Sequence, residues 1–297
     1  MAPVVQRQLN YACIIFEGNA MSNIGFLALP VAMLTDSIRS ATSMLIPEFQ
    51  PAAMPIMERT LDGQIAVVTG AAGGLGSALV RSLVRRNAIV AGCDLNIEKI
   101  PNVSSDGGVV YPYRLDMRDP GDIERGIEAI TTNHGNVDIL IHAAVRHFPS
   151  EVGKEARPFI DHSPAQVLET LAVAVTGPTL LTQLVCKKMV ERGTGRIVFT
   201  GSMHRNGTAG LVMYAAAKAY INALARGLFL ELREYDIISS VANPGGMNTG
   251  LHWHRHSWML DPSIVAETIV QQIVLPSNVA LLSFDMVPHD PAHPDGF

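Results

Sequence analysis

Tyr214 and Lys218 stand four residues apart in the stretch Tyr-Ala-Ala-Ala-Lys. On a helix that spacing puts both side chains on one face. An ammonium beside a phenol favours the phenolate and brings the phenol towards the working range of a general acid/base. Such a pair also arises by chance in many helices. Ser202 adds weight. It lies twelve residues upstream, just past a β-branched run, where open α/β sheets bind ligands, and its hydroxyl could orient a substrate carbonyl.

A second set of residues suits a dinucleotide. Thr69–Gly76 reads TGAAGGLG and lies between an expected strand and an expected helix, the context such a loop requires. Gly70 permits a tight turn. Gly74 and Gly76 let backbone N–H groups approach a pyrophosphate, whose charge then sits at the helix N-terminus. A plain glycine turn is the alternative. Asp94 ends the next strand, 18 residues after Gly76, where a carboxylate accepts hydrogen bonds from an adenosine ribose. It repels a 2′-phosphate, and the loop holds no Lys or Arg to receive one. NAD(H) is favoured on that ground, with NADP(H) kept as the alternative. Asp116 is placed to meet the adenine; an ordinary turn or helix-capping Asp is the competing reading.

These residues need a frame that carries them to one place. Ile65–Thr69, Ile89–Cys93, Val109–Leu115, Val137–His142, Arg196–Thr200, Ile237–Ala242 and Val279–Phe284 read as strands, and stretches near 75–87, 120–133, 164–192, 211–235 and 262–274 as helices. Strand and helix in alternation predict an α/β fold, a single doubly wound parallel sheet with helices on both faces. The strands are continuously apolar, as expected when both faces are covered.

The chain has 297 residues, 48% hydrophobic and 16% charged, with a net charge of −5. Disorder throughout is excluded. No basic face invites nucleic acid or anionic lipid. Cys13, Cys93 and Cys186 are too few and too scattered for a disulfide framework, so they read as reduced thiols in a cytoplasmic protein. The 11-residue apolar stretch Ile24–Leu34 is too short to span a bilayer as a helix, and no integral membrane association is expected. It also lacks the basic flank of a secretory signal. Residues 1–60 form an N-terminal extension, rich in Met, Ala, Pro and Ile. It packs on the domain or on a neighbouring subunit, or an upstream start codon adds a poorly ordered segment. A peripheral anchor would want the basic face it lacks. Residues 61–287 make the domain and 288–297 an irregular tail.

In this order, TGAAGGLG (69–76), Asp94, Asp116, Ser202, Tyr214–Lys218 and NPGGMNT (Asn243–Thr249) resemble the short-chain dehydrogenase/reductase family over about residues 61–287. The resemblance implies one Rossmann-fold domain, a homodimer or homotetramer, and hydride transfer between nicotinamide C4 and the carbon of a small alcohol or ketone. It makes Tyr214 the general acid/base and has Ser202 hold the substrate oxygen. Lys218 grips the nicotinamide ribose and lowers the Tyr pKa. Pro244, Gly245 and Thr249 wrap the nicotinamide end, and Leu75 and Ala143 join the cofactor-binding set. Two positions depart from the family pattern. His142-Ala143-Ala144-Val145 replaces Asn-Asn-Ala-Gly, and Ala174 replaces an Asn that supports a proton relay behind the Lys.

The substrate end falls to three loops, with Arg146, His147 and Phe148; Met203, His204 and Arg205; and Leu251–Met259 (LHWHRHSWM). The last holds His252, Trp253, His254, Arg255, His256 and Trp258. A mobile lid explains these better than a metal site, since no carboxylate or Cys joins the histidines. Arg146, Arg205 and Arg255 either draw in an oxygen-rich substrate or sit solvated. Beside the oxidoreductase reading stand two others: a family member turned to non-redox catalysis or cofactor sensing, and an interaction protein organised by the extension.

Overall fold

The computed structural model describes residues 60–146, 148, 158–249 and 256–289, with the backbone of two short strands ahead of them. The chain divides into two compact units, Met1–Ala53 and Met54–Phe297. In the first, β1 (Tyr11–Cys13) pairs antiparallel with β2 (Ala28–Pro30).

In the second unit, seven strands form one all-parallel sheet. They are β3 (Ile65–Thr69), β4 (Ile89–Asp94), β5 (Val109–Arg114), β6 (Ile139–His142), β7 (Gly195–Thr200), β8 (Ile237–Pro244) and β9 (Ser283–Met286), in the order β5-β4-β3-β6-β7-β8-β9. The helices are α1 (Gly74–Arg85), α2 (Pro120–His134), α3 (Pro164–Leu171), α4 (Gly177–Arg192), α5 (Val212–Leu232) and α6 (Pro262–Ile273). Strand residues alternate between two cores. Ala66 and Val68 of β3 face the core that holds Leu79, Leu83, Ile269 and Ile273 of α1 and α6. Val67 faces the other, with Ile123 and Ile130 of α2, Leu181 and Met189 of α4, and Ile221 and Ala225 of α5. Each such Leu or Ile, fully buried, contributes about 1.5–3 kcal/mol relative to exposure.

Local chemistry sets the helix ends. Pro120 follows an Asp119 side chain that accepts from Gly121 N at 2.9 Å. Ser163 and Gln166 form a reciprocal capping box. Glu267 of α6 ties down α1 through Ser82, Arg85 and Arg86.

Two elements depart from the sequence reading. The helix expected over 164–192 is interrupted by a π-helical segment, Ala172–Thr176. Pro178 has no N–H to offer the Ala174 carbonyl, so the regular ladder cannot run through. Pro164–Arg192 is apolar and long enough to cross a membrane by length and composition, yet Leu181, Val185 and Met189 spend that apolar surface on the sheet core. The last strand, expected at Val279–Phe284, forms at Ser283–Met286 instead. Val279 N closes a turn onto Pro276 O at 2.9 Å, and pairing starts where Ser283 meets Val241.

Candidate active site

The sheet reverses its winding between β3 and β6, the switch point beyond whose strand ends open α/β sheets bind ligands. Beyond those strand ends lies a cavity of about 560 Å³. Ser202, Tyr214 and Lys218 line it, together with Gly74, Leu75, Gly76, Ala143, Pro244, Gly245 and Thr249. Gly70, Asp94 and Asp116 do not.

Ser202 follows β7 and is 3% exposed. Its Oγ accepts from His204 N at 3.1 Å and is hydrogen-bonded to the Tyr214 phenol. Tyr214 and Lys218 rise from the first two turns of α5, with the Lys218 Nζ 5.5 Å from the Tyr214 ring centre. Lys218 is 5% exposed and donates to Thr200 O at 2.6 Å. Burial lowers its pKa to about 8. Burial also pushes the Tyr214 phenol above its ordinary range, and the Ser202 hydrogen bond works against that rise without cancelling it. The sequence reading has Lys218 depressing the phenol. In the folded protein desolvation dominates, because phenolate and ammonium both lose water in the same buried corner.

At the other end, Gly70 turns at φ +69°, and a Cβ there would lie 2.7 Å from the Ala144 backbone. A Cβ on Gly76 would lie 2.0 Å from Gly70 O. Only glycine lets β3, α1 and the loop after β6 meet this closely. The N-terminus of α1 carries no side-chain cap and no acid in its first turn, and Gly74–Gly76 lie on the cavity wall. Its free N–H groups and dipole suit a pyrophosphate. Asp94 Oδ2 accepts from Ala72 N at 3.1 Å and Oδ1 from Asn96 N at 3.0 Å. Those bonds fix the carboxylate beside the glycine loop and leave lone pairs for ribose hydroxyls. The residues present fit a nicotinamide dinucleotide. Asp116 lies outside the cavity lining and holds an arginine. Its carboxylate takes Arg118 in a forked ion pair with contacts of 2.7 and 2.9 Å, which holds it below the usual carboxylate range.

The sequence reading missed Asn243. It is fully buried, and its Oδ1 accepts from Ser202 N at 3.2 Å and from Asn222 Nδ2 at 3.0 Å. Asn222 Nδ2 also reaches Lys218 O at 2.9 Å, and Asn243 Nδ2 donates to Ser283 Oγ at 3.1 Å. One amide thus joins the loop of Ser202 to the helix of Tyr214 and Lys218. Only its place ahead of Pro244 hinted at this. His142 is buried at the end of β6, stacked on Phe199 at 4.8 Å, with Nε2 2.8 Å from Thr182 Oγ1. Its Nδ1 is buried without a partner. Burial, helped by the Lys218 charge, lowers its pKa to about 3, so it is neutral. Ala174 lies buried in the π segment.

The two described substrate-side arginines are each held in an ion pair. Arg146 pairs with Glu169 at 3.1 Å and lies over Phe148, and Arg205 pairs with Asp285 at 2.9 Å. The cavity lining also includes His204, Thr208, Leu211, Met247, His256, Trp258 and Met259. His147, His252, Trp253, His254 and Arg255 lie outside the described residues. Among the described residues no three His, Cys, Asp or Glu gather as a metal site. Cys93 and Cys186 are free and buried, their thiols pushed up to about 12 and about 11 by burial.

Residues 64–260 match the family model described as short chain dehydrogenase. The chain is 32% identical over 200 residues to 2,3-dihydro-2,3-dihydroxybenzoate dehydrogenase of Bacillus subtilis, covering 65% of this chain and 73% of that one. A 3-ketoacyl-(acyl-carrier-protein) reductase from Brucella melitensis complexed with NADH shares the fold, with a TM-score of 0.68 at 22% identity, covering 77% and 98%. So does a single-site variant of actinorhodin polyketide ketoreductase with NADPH, with a TM-score of 0.67 at 24% identity, covering 76% and 96%.

Proposed function

The chain belongs to the short-chain dehydrogenase/reductase family, and we propose that it interconverts a small secondary alcohol and its ketone with NAD(H). The observation that carries this reading is the meeting of Ser202, Tyr214 and Lys218 on the wall that also holds Gly74 and Gly76. When bound, the nicotinamide supplies or accepts the hydride.

The chain's own residues handle the oxygen and its proton. In the reductive direction the Tyr214 hydroxyl donates its proton to the oxygen as negative charge develops there. The raised pKa keeps that proton in place beforehand. Ser202 shares the Tyr214 hydrogen bond and stabilises the same oxygen, a contribution that grows as charge builds. Lys218 places a cation beside the resulting phenolate and would hold the nicotinamide ribose of a bound cofactor. In the oxidative direction the phenolate takes the alcohol proton. The positive charge of Lys218 then favours the phenolate that burial disfavours.

Asp94 supports NAD(H) over NADP(H), since a 2′-phosphate there meets a fixed carboxylate. The two solved relatives hold NADH and NADPH respectively, so the fold by itself accepts either. Residues 61–287 act as the catalytic domain in a homo-oligomer, for which exposed Leu168 on α3 and Tyr220 and Leu230 on α5 offer apolar surface. Buried free thiols suit a reducing, cytoplasmic setting.

The test is NADH absorbance at 340 nm with a panel of ketones and secondary alcohols. Tyr214→Phe should lose ~10²–10⁴-fold in turnover and keep cofactor binding within about twofold. Full redox activity in that variant would overturn the mechanism.

A further inference from the structure

Resting on the redox role proposed above, the walls of the cavity point to the class of substrate. The cavity that Tyr214 lines is also lined by Leu211, Met247, Trp258 and Met259, with His204 and Thr208 among its polar groups. His204 Nδ1 and Thr208 Oγ1 are 2.9 Å apart and satisfy one another. Trp258 stacks on His256 with ring centres 5.2 Å apart and planes 12° from parallel, a flat wall.

An anionic substrate needs a cation at this wall, and the described residues direct theirs elsewhere. Arg146 is held by Glu169 at 3.1 Å and Arg205 by Asp285 at 2.9 Å. Lys218 is the one formally charged side chain among the described lining residues. Its Nζ is committed to Thr200 O and the Tyr214 side of the site. The chain as a whole carries −5. A carboxylate or phosphate brought to this wall gives up hydration and gains no forked guanidinium partner among the described residues. An apolar or aromatic body instead gains contact with an indole face and two thioethers.

We propose that the substrate is an uncharged secondary alcohol or ketone with an apolar, preferably aromatic, body seated against Trp258 and Met259. The match to a dihydroxybenzoate dehydrogenase does not carry over to this chain's substrate on this account.

The experiment is calorimetric titration of the full chain saturated with NADH. The ligands are 1-phenylethanol and 4-(1-hydroxyethyl)benzoate, which differ only by the carboxylate and cannot react with the reduced cofactor. The neutral alcohol should bind at least about tenfold more tightly, a difference of ~1.4 kcal/mol. Trp258→Ala should weaken its binding about fivefold or more while NADH binding stays within about twofold. Equal or tighter binding of the carboxylate overturns the proposal. So does an unchanged affinity in Trp258→Ala, or no binding of the neutral alcohol. A parallel assay of acetophenone reduction at 340 nm separates the two readings. The expected binding preference without turnover upholds the substrate class and overturns the redox role. Failure of NADH itself to bind overturns both.

Discussion

Replacing Asn243 by alanine tests how the site is held together. The side chain is fully buried, and its Oδ1 serves two donors, Ser202 N and Asn222 Nδ2. Ser202 is itself 3% exposed, so its N–H would be left without a partner and out of reach of water. A buried donor stranded in this way costs ~1–3 kcal/mol. Asn222 keeps its bond to Lys218 O and is only half buried, so its loss is smaller, ~0.5–1 kcal/mol. Ser283 is exposed and rehydrates. The net expectation is a destabilisation of about 3 kcal/mol, or roughly 6–12 °C in melting temperature for a unit of this size. Turnover should fall about tenfold or more, because a catalytic hydroxyl that drifts by an ångström loses much of its effect. Thermal unfolding by circular dichroism reads the first effect and steady-state kinetics the second. Ser283→Ala is the control and should shift stability by less than about 1 kcal/mol. A melting curve for Asn243→Ala that overlays the parent refutes this account of the site. An equal loss in Ser283→Ala refutes it too, since the strain would then lie at the exposed end.

Three further outcomes follow from charge. Lys218 has a folded pKa of about 8, below its usual 10.5. Between those values the unfolded chain binds the extra proton, so this group makes stability rise with pH across about 8 to 10.5. Below 8 the full burial cost is present, and Lys218→Met should raise stability by roughly 1–3 kcal/mol at pH 7 while abolishing activity; a melting curve that drops at pH 7 contradicts this. His142 is held neutral down to about 3, so its contribution is complete above its ordinary 6.5 and lost as pH falls from there to about 3. His142→Asn should therefore flatten the acid side of a stability–pH profile, and an unchanged acid limb would remove His142 as its source. Asp94→Ala should narrow the preference for NAD(H) over NADP(H) about tenfold or more, chiefly by admitting the phosphate; fluorescence titration that shows the parent indifferent to the phosphate sinks the assignment.

Much of this was written in local sequence. The strand and helix pattern was readable because both sheet faces are covered, which puts unbroken apolar runs in β3 (Ile65–Val68), β6 (Ile139–Ile141) and β7 (Ile197–Phe199), and the predicted limits of β3 match those observed. The glycine loop was readable because its constraint is local: Gly70 needs a left-handed turn within its own few residues. The four-residue spacing of Tyr214 and Lys218 put them on one helix face for the same reason.

What the sequence could not supply depends on partners far along the chain. Asn243 matters through Ser202 and Asn222, 41 and 21 residues away. Arg205 is held by Asp285, 80 residues on, and Arg146 by Glu169, pairings that no local spacing reports. Asp116, which spacing aimed at an adenine, also holds Arg118 two residues away, a pairing that only the folded turn shows. The phenol of Tyr214 rises rather than falls because desolvation depends on the whole surrounding wall, and no spacing rule reports that. Residue types and periods set which elements form and which chemistry they carry. Long-range packing decides which charges stay free to use it.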